Sequence, residues 1–467
     1  MRVIVVGGGI SGLTAAFLAR AAGHDAVCVD DGATAGGLIQ SARIDGFLCE
    51  GGPQAVLDDA PDTLALIAAA GLEPRILRAA AEARRRFIYA RGRLHPLPMS
   101  PPALLRSGLL SPFGKARLLM EPLIRKPRAL PADDAETVAA FGARRLGKEA
   151  ARTLLGTAVI GIFAADAQLL SAASSFPRVV ALEHTHGSLF RGTMARRKSG
   201  HRPGQPLSFP DGLGELPAAL GRRLGAGLLR SRALAIEPRA RGGWRLTTEG
   251  IDGSGRRHLE GDALVLATGA DTAAALLAPI VPEAATALSD LPTAPVAVCC
   301  LGFRDAPDNL GMDLAAYGFL VARGQSPRLL GCQYESSTFA GRAPPGAVLL
   351  RAILGGRGEG FEPGIVERTD EEIGARALSD LREIAGLQRQ PDLVRVWRHP
   401  KGIPLYTPGH AARVSTVDGA LRAHPGLFVL GHALRGVGVN ESIRAATALA
   451  RQVLSPASAL PAASAES

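Results

Sequence analysis

The chain of 467 residues is poor in several residue types and motifs, and each shortage excludes a class of protein. Its five cysteines include no C-x-x-C pair, which argues against a disulfide framework and against a zinc site with paired cysteines. Aromatic residues make up only 4%, and no nucleic-acid-binding motif is present, so we expect no nucleic-acid partner. No apolar run approaches the ~20 residues that span a bilayer. HExxH and GxSxG motifs are also missing, so neither a zinc protease nor a serine hydrolase is indicated.

Lysine is scarce as well, since most of the basic residues are arginine. The 53 basic residues outnumber the 43 acidic ones, so the chain carries a formal net charge of +10. Such a charge suits an anionic ligand or an anionic membrane surface. Hydrophobic residues make up 47% and charged residues 21%, which is typical of a globular protein of two to three structural units. The sequence opens with a strand-like run, and this N-terminal segment shows neither a basic stretch nor a small-residue cleavage site. We therefore predict a cytoplasmic protein.

The strongest local motif is a glycine-rich turn between a strand and a helix. Residues 2–6 read as a buried parallel strand, and an apolar-faced helix runs on to about Gly23. Between them lies the fingerprint of a dinucleotide site, in which the first glycine allows the turn, the second the approach of a pyrophosphate and the third close helix packing. The predicted contacts are Gly7, Gly8, Gly9, Ile10, Ser11 and Gly12.

A carboxylate follows at the expected distance from this turn. The second strand, residues 26–29, ends at Asp30, with Asp31 beside it. A carboxylate at the end of that strand accepts hydrogen bonds from a ribose hydroxyl and disfavours a 2′-phosphate. The first 30 residues are therefore predicted to form a β-α-β unit that binds a dinucleotide.

Three features favour FAD over a pyridine nucleotide. The chain has one fingerprint rather than two, since Phe361 replaces the third glycine after Gly356 and Gly358. A glycine pair, Gly36 and Gly37, lies where an extended cofactor would pass. A late motif with Gly431 and residues 436–440 opens the last helix, whose N-terminus could hold a flavin ring.

The pattern of the remaining chain predicts three structural units. The fold class is α/β (α+β): a Rossmann-like FAD-binding domain of the glutathione-reductase type, an antiparallel-sheet substrate domain and a helical, membrane-binding insertion. The FAD-binding domain comprises residues 1–83, 205–291 and 402–454, the helical domain 84–204 and the substrate domain 292–401. The low-complexity tail, 455–467, is expected to be disordered.

The membrane-binding prediction rests on the start of the helical domain. Residues 84–128 contain eleven basic residues and a single acid, Glu121, among prolines and large apolar residues. This mixture suits anionic head groups and the acyl boundary, so the domain would rest on the inner face of the cell membrane. The alternative is an ordinary helical insertion whose apolar face packs inward.

At this point the sequence resembles a known family, the protoporphyrinogen oxidases of the flavin amine oxidase superfamily. The resemblance covers most of the chain. It is most specific in Arg86-Phe-Ile-Tyr89 and in Gly436-Val-Gly-Val-Asn-Glu-Ser-Ile443. Looser matches lie at residues 36–41, 45–53, 93–98, 100–102, 161–166, 170–171, 176–177, 209–213, 339–344 and 402–406.

The resemblance implies an oxidation of protoporphyrinogen IX to protoporphyrin IX in three two-electron steps through FAD, with oxygen as acceptor and hydrogen peroxide as product. It implies that Arg86 binds a substrate propionate, that Leu320 and Phe339 clamp the tetrapyrrole, and that the backbone of Gly161 approaches the ring. No residue is implied as an acid or base, because the cofactor carries the difficult step. Further cofactor contacts carried over are Gly52, Pro53, Gln54, Ala55, Leu234, His399, Gly431, Val437, Gly438 and Val439.

Several of these residues have a simpler interpretation. Arg86 lies in a run of three arginines and could be solvated or face lipid, and Phe339 could belong to the core. His184 and His186 lack further ligands at suitable spacing, so no metal is predicted. Cys299 and Cys300 are expected to lie in a core strand.

The sequence also departs from the family pattern. Gln54 and Ala55 stand where relatives often have Asn-Ser, His399 where they often have Trp, and residues 440–442 where Asn-Asp-Cys is usual. Three other functions therefore stay open: oxidation of coproporphyrinogen III, oxidation of amines or carotenoids, and tetrapyrrole carriage without turnover. The expected partners are a porphyrinogen, oxygen, the membrane surface and a second copy of the chain in a homodimer.

Overall fold

The computed structural model describes residues 1–125, 134–200, 202–306 and 310–454. The strands are β1 (Arg2–Val6), β2 (Asp25–Asp30), β3 (Ser41–Ile44), β4 (Phe47–Glu50), β5 (Val56–Leu57), β6 (Leu77–Arg78), β7 (Arg86–Ala90), β8 (Arg93–Pro96), β9 (Pro206–Ser208), β10 (Leu228–Pro238), β11 (Trp244–Gly250), β12 (Arg256–Gly261), β13 (Ala263–Leu266), β14 (Thr293–Phe303), β15 (Gly318–Val321), β16 (Gly331–Tyr334), β17 (Val348–Gly355), β18 (Leu393–Pro404) and β19 (Leu427–Val429).

The helices are α1 (Ile10–Ala21), α2 (Pro61–Ala69), α3 (Pro101–Arg106), α4 (Pro112–Leu119), α5 (Val138–Leu146), α6 (Lys148–Ala150), α7 (Gly156–Phe163), α8 (Ala172–Ser175), α9 (Pro177–His186), α10 (Leu189–Lys198), α11 (Glu215–Leu224), α12 (Ala270–Leu277), α13 (Pro282–Ser289), α14 (Glu335–Thr338), α15 (Asp370–Ala385), α16 (His410–Leu421) and α17 (Val439–Leu454). A π-helical turn, Ala151–Leu155, leads into α7.

The first sheet has seven strands in the order β12-β11-β10-β2-β1-β13-β19. Its core is parallel, from β10 through β2, β1 and β13 to β19, and only β11 and β12 are antiparallel. Both faces of the parallel core are covered, since α1, α11 and α17 pack on one face and α12, α13 and α16 on the other. This double cover explains why β1 and β13 are almost purely aliphatic. The carboxyl ends of the five parallel strands therefore meet at one edge.

The second sheet has the order β18-β14-β17-β16-β15-β7-β8. All neighbours are antiparallel except β15 and β7, which run parallel. Helix α15 packs on one face, and its N-terminus carries a capping box in which Thr369 and Glu372 exchange hydrogen bonds. The antiparallel sheet predicted for residues 292–401 thus exists, although β18 extends it past the boundary at residue 401.

The predicted start of the helical domain at residue 84 is wrong. Residues 86–96 form β7 and β8, which belong to the second sheet. The basic and apolar composition of residues 84–128 favours a membrane-binding helical domain, but Ile88, Tyr89 and Ala90 are buried, and the backbone pairs with β15. The arginines are accommodated because they lie at the strand ends and on the exposed hairpin.

Helices α3 to α10 form the helical segment proper, which begins after β8. Helix α7 packs it onto the second sheet, with Val159, Ile160 and Phe163 buried against Val296 and Tyr406. Within the segment, the buried guanidinium of Arg145 pairs with Glu121 and Glu183. No helix in the described ranges is long and apolar enough to cross a membrane.

The other elements agree with the sequence pattern to within a few residues. The sequence pattern indicates helices at residues 62–71, 213–224, 369–386 and 440–454, and these appear as α2, α11, α15 and α17. It indicates strands at residues 26–29, 263–267 and 427–430, and these appear as β2, β13 and β19. The tail predicted to be disordered, 455–467, lies outside the described residues.

Candidate cofactor and substrate site

One large cavity opens at the carboxyl edge of the first sheet. Its volume is about 2360 Å³, and it extends from the glycine-rich turn after β1 to the second sheet and helix α7. Ligands of open α/β sheets bind in this position, outside the carboxyl ends of the strands. The cavity has two ends of different character, which we call the turn end and the wall end. The turn end is formed by residues 7–11, 30–31 and 36–39, and the wall end by residues 86–88, 157–163 and 317–320.

The turn end begins with a backbone loop that only glycine allows. Gly7 has φ +110° and donates its N–H to the carbonyl of Val29 at 2.7 Å. A Cβ on Gly12 would overlap the carbonyl oxygen of Gly7, whereas a Cβ on Gly9 would meet only open space. Helix α1 then begins without a side-chain cap, so the N–H groups of its first turn are left for a ligand.

Three further hydrogen bonds complete the turn end. The backbone N–H of Gly8 donates to Oδ1 of Asp30 at 2.8 Å, and Nη1 of Arg230 donates to Oδ2 at 3.1 Å. Gly36 donates to the carbonyl of Gly8 at 2.8 Å, which brings the second glycine pair beside the first. Asp30, with Asp31 next to it, therefore lines the cavity as a fixed carboxylate with free lone pairs.

A second helix N-terminus faces the same cavity. Gly431 follows β19, and Val437, Gly438 and Val439 lead into α17. Gly436 has φ +73°, a left-handed conformation that the turn before the helix requires. The two helices α1 and α17 thus present their N-termini to one elongated space, as a ligand with charged groups along its length would need.

The loop at residues 51–55 lies between the two ends. His399 contacts the carbonyl of Gly51 through Nε2 at 2.7 Å, so Nε2 carries the proton, because a carbonyl can only accept. Burial lowers the pKa of His399, which keeps the imidazole neutral at pH 7. Trp397 packs beneath Gly51, where a Cβ would lie 2.6 Å from the indole. Gly52, Pro53, Gln54, Ala55 and His399 all line the cavity.

The wall end is mostly apolar and holds one arginine that sequence reasoning singled out. Gly161 of α7 faces Leu320 of β15 so closely that a Cβ on the glycine would lie 2.8 Å from Cδ1 of Leu320. Phe87, Ile88, Phe163 and Leu330 extend this surface. Arg86 begins β7 and places its guanidinium over the ring of Tyr317, 5.0 Å from the centroid.

A polar cluster that sequence reasoning missed lines the cavity next to this apolar surface. Nε of Arg351 donates to the carbonyl of Glu50 at 3.0 Å, and its Nη atoms donate to the carbonyl of Gly52 and to Oε1 of Gln333. Gln333 in turn donates to the hydroxyl of Tyr317 at 3.1 Å. Arg351, Gln333 and Tyr317 all line the cavity. They come from β17, β16 and the start of β15, so no local motif could have indicated them.

Three of the predicted site residues do not line the cavity. Phe339 lies outside its lining: the ring is fully buried at the end of α14, with the guanidinium of Arg342 5.1 Å from its centroid. The predicted clamp of Leu320 with Phe339 is therefore not formed, because Phe339 packs into the core beside a buried ion pair of Arg342 with Glu50. Leu234 lies at a β-bulge in β10 and is also outside the lining. Gly12 is buried under the turn, where its role is close packing.

Cys299 and Cys300 lie in the buried strand β14, as predicted. The described ranges contain no group of three His, Cys, Asp or Glu side chains that could hold a metal ion, His184 and His186 included. All five cysteines are free and buried. Burial raises the pKa of Cys28 and Cys299 to about 12, so these thiols stay protonated and unreactive.

Comparison with known proteins agrees with this geometry. Residues 10–454 match the family model described as flavin containing amine oxidoreductase. The chain is 31% identical to coproporphyrinogen III oxidase of Propionibacterium freudenreichii, over 97% of this chain and 91% of that protein. It is also 31% identical to human protoporphyrinogen oxidase, over 97% and 98%. A crystal structure from Exiguobacterium sp. 255-15, provisionally named a protoporphyrinogen oxidase, superposes with a TM-score of 0.82 at 28% identity, covering 97% of this chain and 98% of that one.

Proposed function

This chain belongs to the family of flavin-containing amine oxidoreductases, and on that premise we propose that it oxidises protoporphyrinogen IX to protoporphyrin IX. The cofactor of this oxidoreductase is FAD. The observation that carries the proposal is the single cavity that joins a dinucleotide turn to an apolar wall with Arg86 at its edge. A porphyrinogen is large and apolar and carries carboxylates on one side, so it needs both features.

The size of the cavity supports two large ligands. Pockets for one drug-sized ligand measure about 300–1,000 Å³. The observed volume of about 2360 Å³ leaves room for a tetrapyrrole after the extended cofactor is accommodated. The turn end, with its two helix N-termini, matches the charged groups of the dinucleotide. The wall end is then left for the substrate.

The groups at the wall suit orientation rather than acid or base catalysis. When bound, FAD supplies the acceptor for each of three two-electron steps and passes the electrons to oxygen, giving hydrogen peroxide. Arg86 binds a propionate, and Leu320, beside Gly161, supports the face of the macrocycle. His399 is neutral and bound to Gly51, so it holds the loop beside the cofactor. Such positioning can supply much of the rate enhancement on its own.

A second candidate substrate is coproporphyrinogen III, which carries more carboxylates. Two further arginines, Arg178 and Arg444, line the cavity at its outer part near Glu441. They could pair with additional propionates. A named relative for each activity is 31% identical to this chain, so overall identity does not separate the two substrates.

A fluorescence time course tests the proposal. Purified protein with bound FAD is mixed in air with freshly reduced protoporphyrinogen IX and, in parallel, with coproporphyrinogen III; protein without FAD is the control. Porphyrin emission that rises well above autoxidation on the first substrate supports the proposal, and a faster rise on the second selects the alternative. No rise on either substrate would overturn the assignment and favour amines or carotenoids. Tight porphyrin binding without turnover would indicate a carrier.

We also propose that the helical segment binds the inner surface of the cell membrane. It displays unusually exposed apolar side chains, among them Phe113 (88% exposed), Leu123 (71%) and Met99 (70%). Basic residues such as Lys115 and Arg106 lie close by in sequence and suit anionic head groups. We expect the protein to sediment with anionic vesicles at low salt and Phe113→Ser with Leu123→Ser to weaken this several-fold, whereas Ile251→Ser, an exposed apolar residue on the first sheet, should not. Equal sedimentation of all three proteins would contradict this proposal.

A further inference from the structure

A chain of polar groups leads from the cavity to a carboxyl that no solvent reaches. Tyr317 and Gln54 line the cavity, and Glu335, at the start of α14, is fully buried behind them. In one orientation of the Gln54 amide, Nε2 lies 2.5 Å from both carboxylate oxygens of Glu335, and Oε1 accepts from the hydroxyl of Tyr317 at 2.8 Å. In the other orientation, Nε2 donates to the Tyr317 hydroxyl oxygen and Oε1 faces the Glu335 carboxyl.

The two orientations require different protonation states of Glu335. An ionised carboxylate can only accept, so it needs Nε2 of Gln54. A neutral carboxyl can donate to Oε1 of Gln54, which turns Nε2 toward Tyr317. An amide oxygen against a carboxylate would be a repulsive contact in a buried site, so the amide orientation follows the proton.

The state of Glu335 thereby decides what Tyr317 offers to the cavity. With Glu335 ionised, the Tyr317 hydroxyl donates to Gln54 and has no hydrogen left for a ligand. With Glu335 neutral, Gln54 and Gln333 both donate to the hydroxyl oxygen, at 2.8 and 3.1 Å. The hydroxyl hydrogen is then free to donate to an acceptor in the cavity. The guanidinium of Arg86 lies over the same tyrosine ring.

We propose that Tyr317 binds the substrate carboxylate together with Arg86, and that this binding transfers one proton from solvent to Glu335 through reorientation of the Gln54 amide. The inference rests on the proposed function, since it assigns a second group to the carboxylate subsite of that substrate. Tyr317 is the binding residue, and Gln54 and Glu335 are positioning residues that act through it. Only hydrogen bonds are rearranged, and one O–H bond forms when the Glu335 carboxylate takes up the proton.

The charges around Glu335 allow this change of state. Nη1 of Arg351 lies 3.7 Å from the carboxylate, but the hydrogen bonds of that guanidinium are directed to Glu50, Gly52 and Gln333. Burial dominates and raises the pKa of Glu335 to about 7, against the opposing effects of Arg351 and Arg342 and with a smaller contribution from Glu50. A carboxyl with this pKa changes protonation state in the physiological range.

Glu50 is a second buried carboxyl near this site, and burial raises its pKa as well, against the opposing effects of Arg342 and of the hydrogen bond from Ser41. The histidines, tyrosine and thiols near this site do not change charge above pH 7. Burial lowers the pKa of His399, His410 and His432, the histidines that line the cavity, so they are neutral above pH 7. Burial raises the pKa of Tyr317 and of the thiol of Cys332, and the pKa of the Cys300 thiol is raised by its contact with Cys49, so these groups stay protonated. Substrate propionates are ionised throughout, with an ordinary carboxyl pKa of about 4–4.5.

The direction in which KM changes with pH follows from the coupling between proton binding at Glu335 and ligand binding. A ligand that needs neutral Glu335 binds without a penalty below the pKa of the free protein. Above it, the ligand must take up a proton, so KM rises by up to about tenfold per pH unit until Glu335 ionises in the complex. The turnover number kcat need not change, because the effect concerns binding.

The test measures KM and kcat from pH 6 to pH 9 with FAD-loaded wild type, Tyr317→Phe, Glu335→Gln and Gln54→Leu. Wild type should show KM rising above pH 7. Glu335→Gln, which is always neutral, should keep the low KM of wild type at pH 6 across the whole range. Tyr317→Phe should show a KM about tenfold higher at pH 6, with no slope. Gln54→Leu removes the amide that connects Glu335 to Tyr317, so KM of this variant should also be independent of pH. Tyr334→Phe, the same change on a buried tyrosine of β16 outside the cavity lining, should match wild type.

A second measurement separates this inference from the proposed function. Protoporphyrin IX is titrated into the oxidised, FAD-loaded protein at pH 8 in weak buffer with an indicator dye. Wild type should take up about one proton per bound porphyrin, and Glu335→Gln about none. Porphyrin binding without proton uptake, or a Glu335→Gln variant that keeps the wild-type slope of KM, overturns the inference while the proposed function stands. A wild type that neither binds nor oxidises porphyrin overturns the proposed function, and the inference with it.

Discussion

The two ends of the cavity are built by different means. At the turn end the contacts come mainly from backbone atoms. Gly7 and Gly36 donate their N–H groups to backbone carbonyls, and the N–H of Gly8 donates to the side-chain carboxylate of Asp30. At the wall end, side chains do the work, and they come from β7, α7, β15, β16 and β17. Backbone sites tolerate almost no added atom, whereas side-chain sites can be altered in steps. Changes at the two ends should therefore differ in size and in kind.

The largest effect is expected from Gly12→Ala at the turn end. The added Cβ overlaps the carbonyl oxygen of Gly7, so either the turn or α1 must move. We expect FAD affinity to fall by more than about 100-fold, equivalent to about 3 kcal/mol. Flavin absorbance after gel filtration measures this. The control is Gly419→Ala, an exposed helical glycine with nothing within 4 Å of its Cβ, which should retain FAD. If Gly12→Ala retains its full FAD content, the turn end tolerates an added methyl group, and the two ends do not differ in this respect.

The next effect is expected from Arg86→Ala at the wall end. Loss of a charged hydrogen-bond donor should raise KM for the porphyrinogen by about 10- to 100-fold and leave kcat and FAD content nearly unchanged. Steady-state kinetics measure both constants. The matched control is Arg85→Ala, the neighbouring arginine, which is exposed and pairs with Asp313 at 2.7 Å. If Arg85→Ala raises KM as much as Arg86→Ala, the arginines of this segment attract the substrate only through their charge, and Arg86 makes no specific contact with the propionate.

A stability measurement on Glu335→Gln addresses the buried part of the wall. The pKa of Glu335 in the folded protein is raised to about 7, so between pH 5.5 and 7 the folded state holds a proton that the unfolded state has lost. Wild-type stability should then fall by about 2 kcal/mol over this interval, and Glu335→Gln should not show the loss. The expected shift in Tm is about 2 °C, measured by calorimetry.

The control for that measurement is Glu372→Gln in the exposed capping box. Hydrogen bonding by the backbone of Thr369 lowers the pKa of Glu372, so its charge is constant above pH 5.5. The Tm of this variant should follow wild type in parallel between pH 5.5 and 7. A Glu335→Gln curve that also runs parallel to wild type would mean that Glu335 is ionised throughout the interval.

The smallest effect is expected from Gly161→Ala. The new methyl would lie 2.8 Å from Cδ1 of Leu320, the flexible end of a side chain, so the fold should adjust and the cavity should narrow. We expect kcat/KM to fall by about 3- to 10-fold, or about 1 kcal/mol. The double variant with Leu320→Val should recover most of the loss, since the pair is in direct contact. Independent effects of the two changes would show that this contact does not shape the substrate site.

Local sequence determined the turn end almost completely. The strand, turn, helix and carboxylate of residues 2–30 form one continuous unit. Gly7 and Gly12 meet its steric needs because backbone sterics act over a few residues, and Gly9 leaves open space for a ligand. The late helix at 439–454 was also predictable from its glycines and apolar periodicity. The single fingerprint and the later glycine motifs favoured FAD as the cofactor, and the family resemblance added the porphyrinogen substrate.

Tertiary structure alone decided the wall end. The basic and apolar composition of residues 84–128 predicted a helical domain from residue 84, but pairing with β15 makes residues 86–90 a strand and places Arg86 beside Tyr317. Core packing drew Phe339 away from Leu320 and set Glu335 behind Gln54, more than 280 residues apart in sequence. Sequence patterns record which residues prefer burial and which local conformation they favour. They do not record which distant strands become neighbours, and the charges and hydrogen bonds of this substrate site depend on those neighbours.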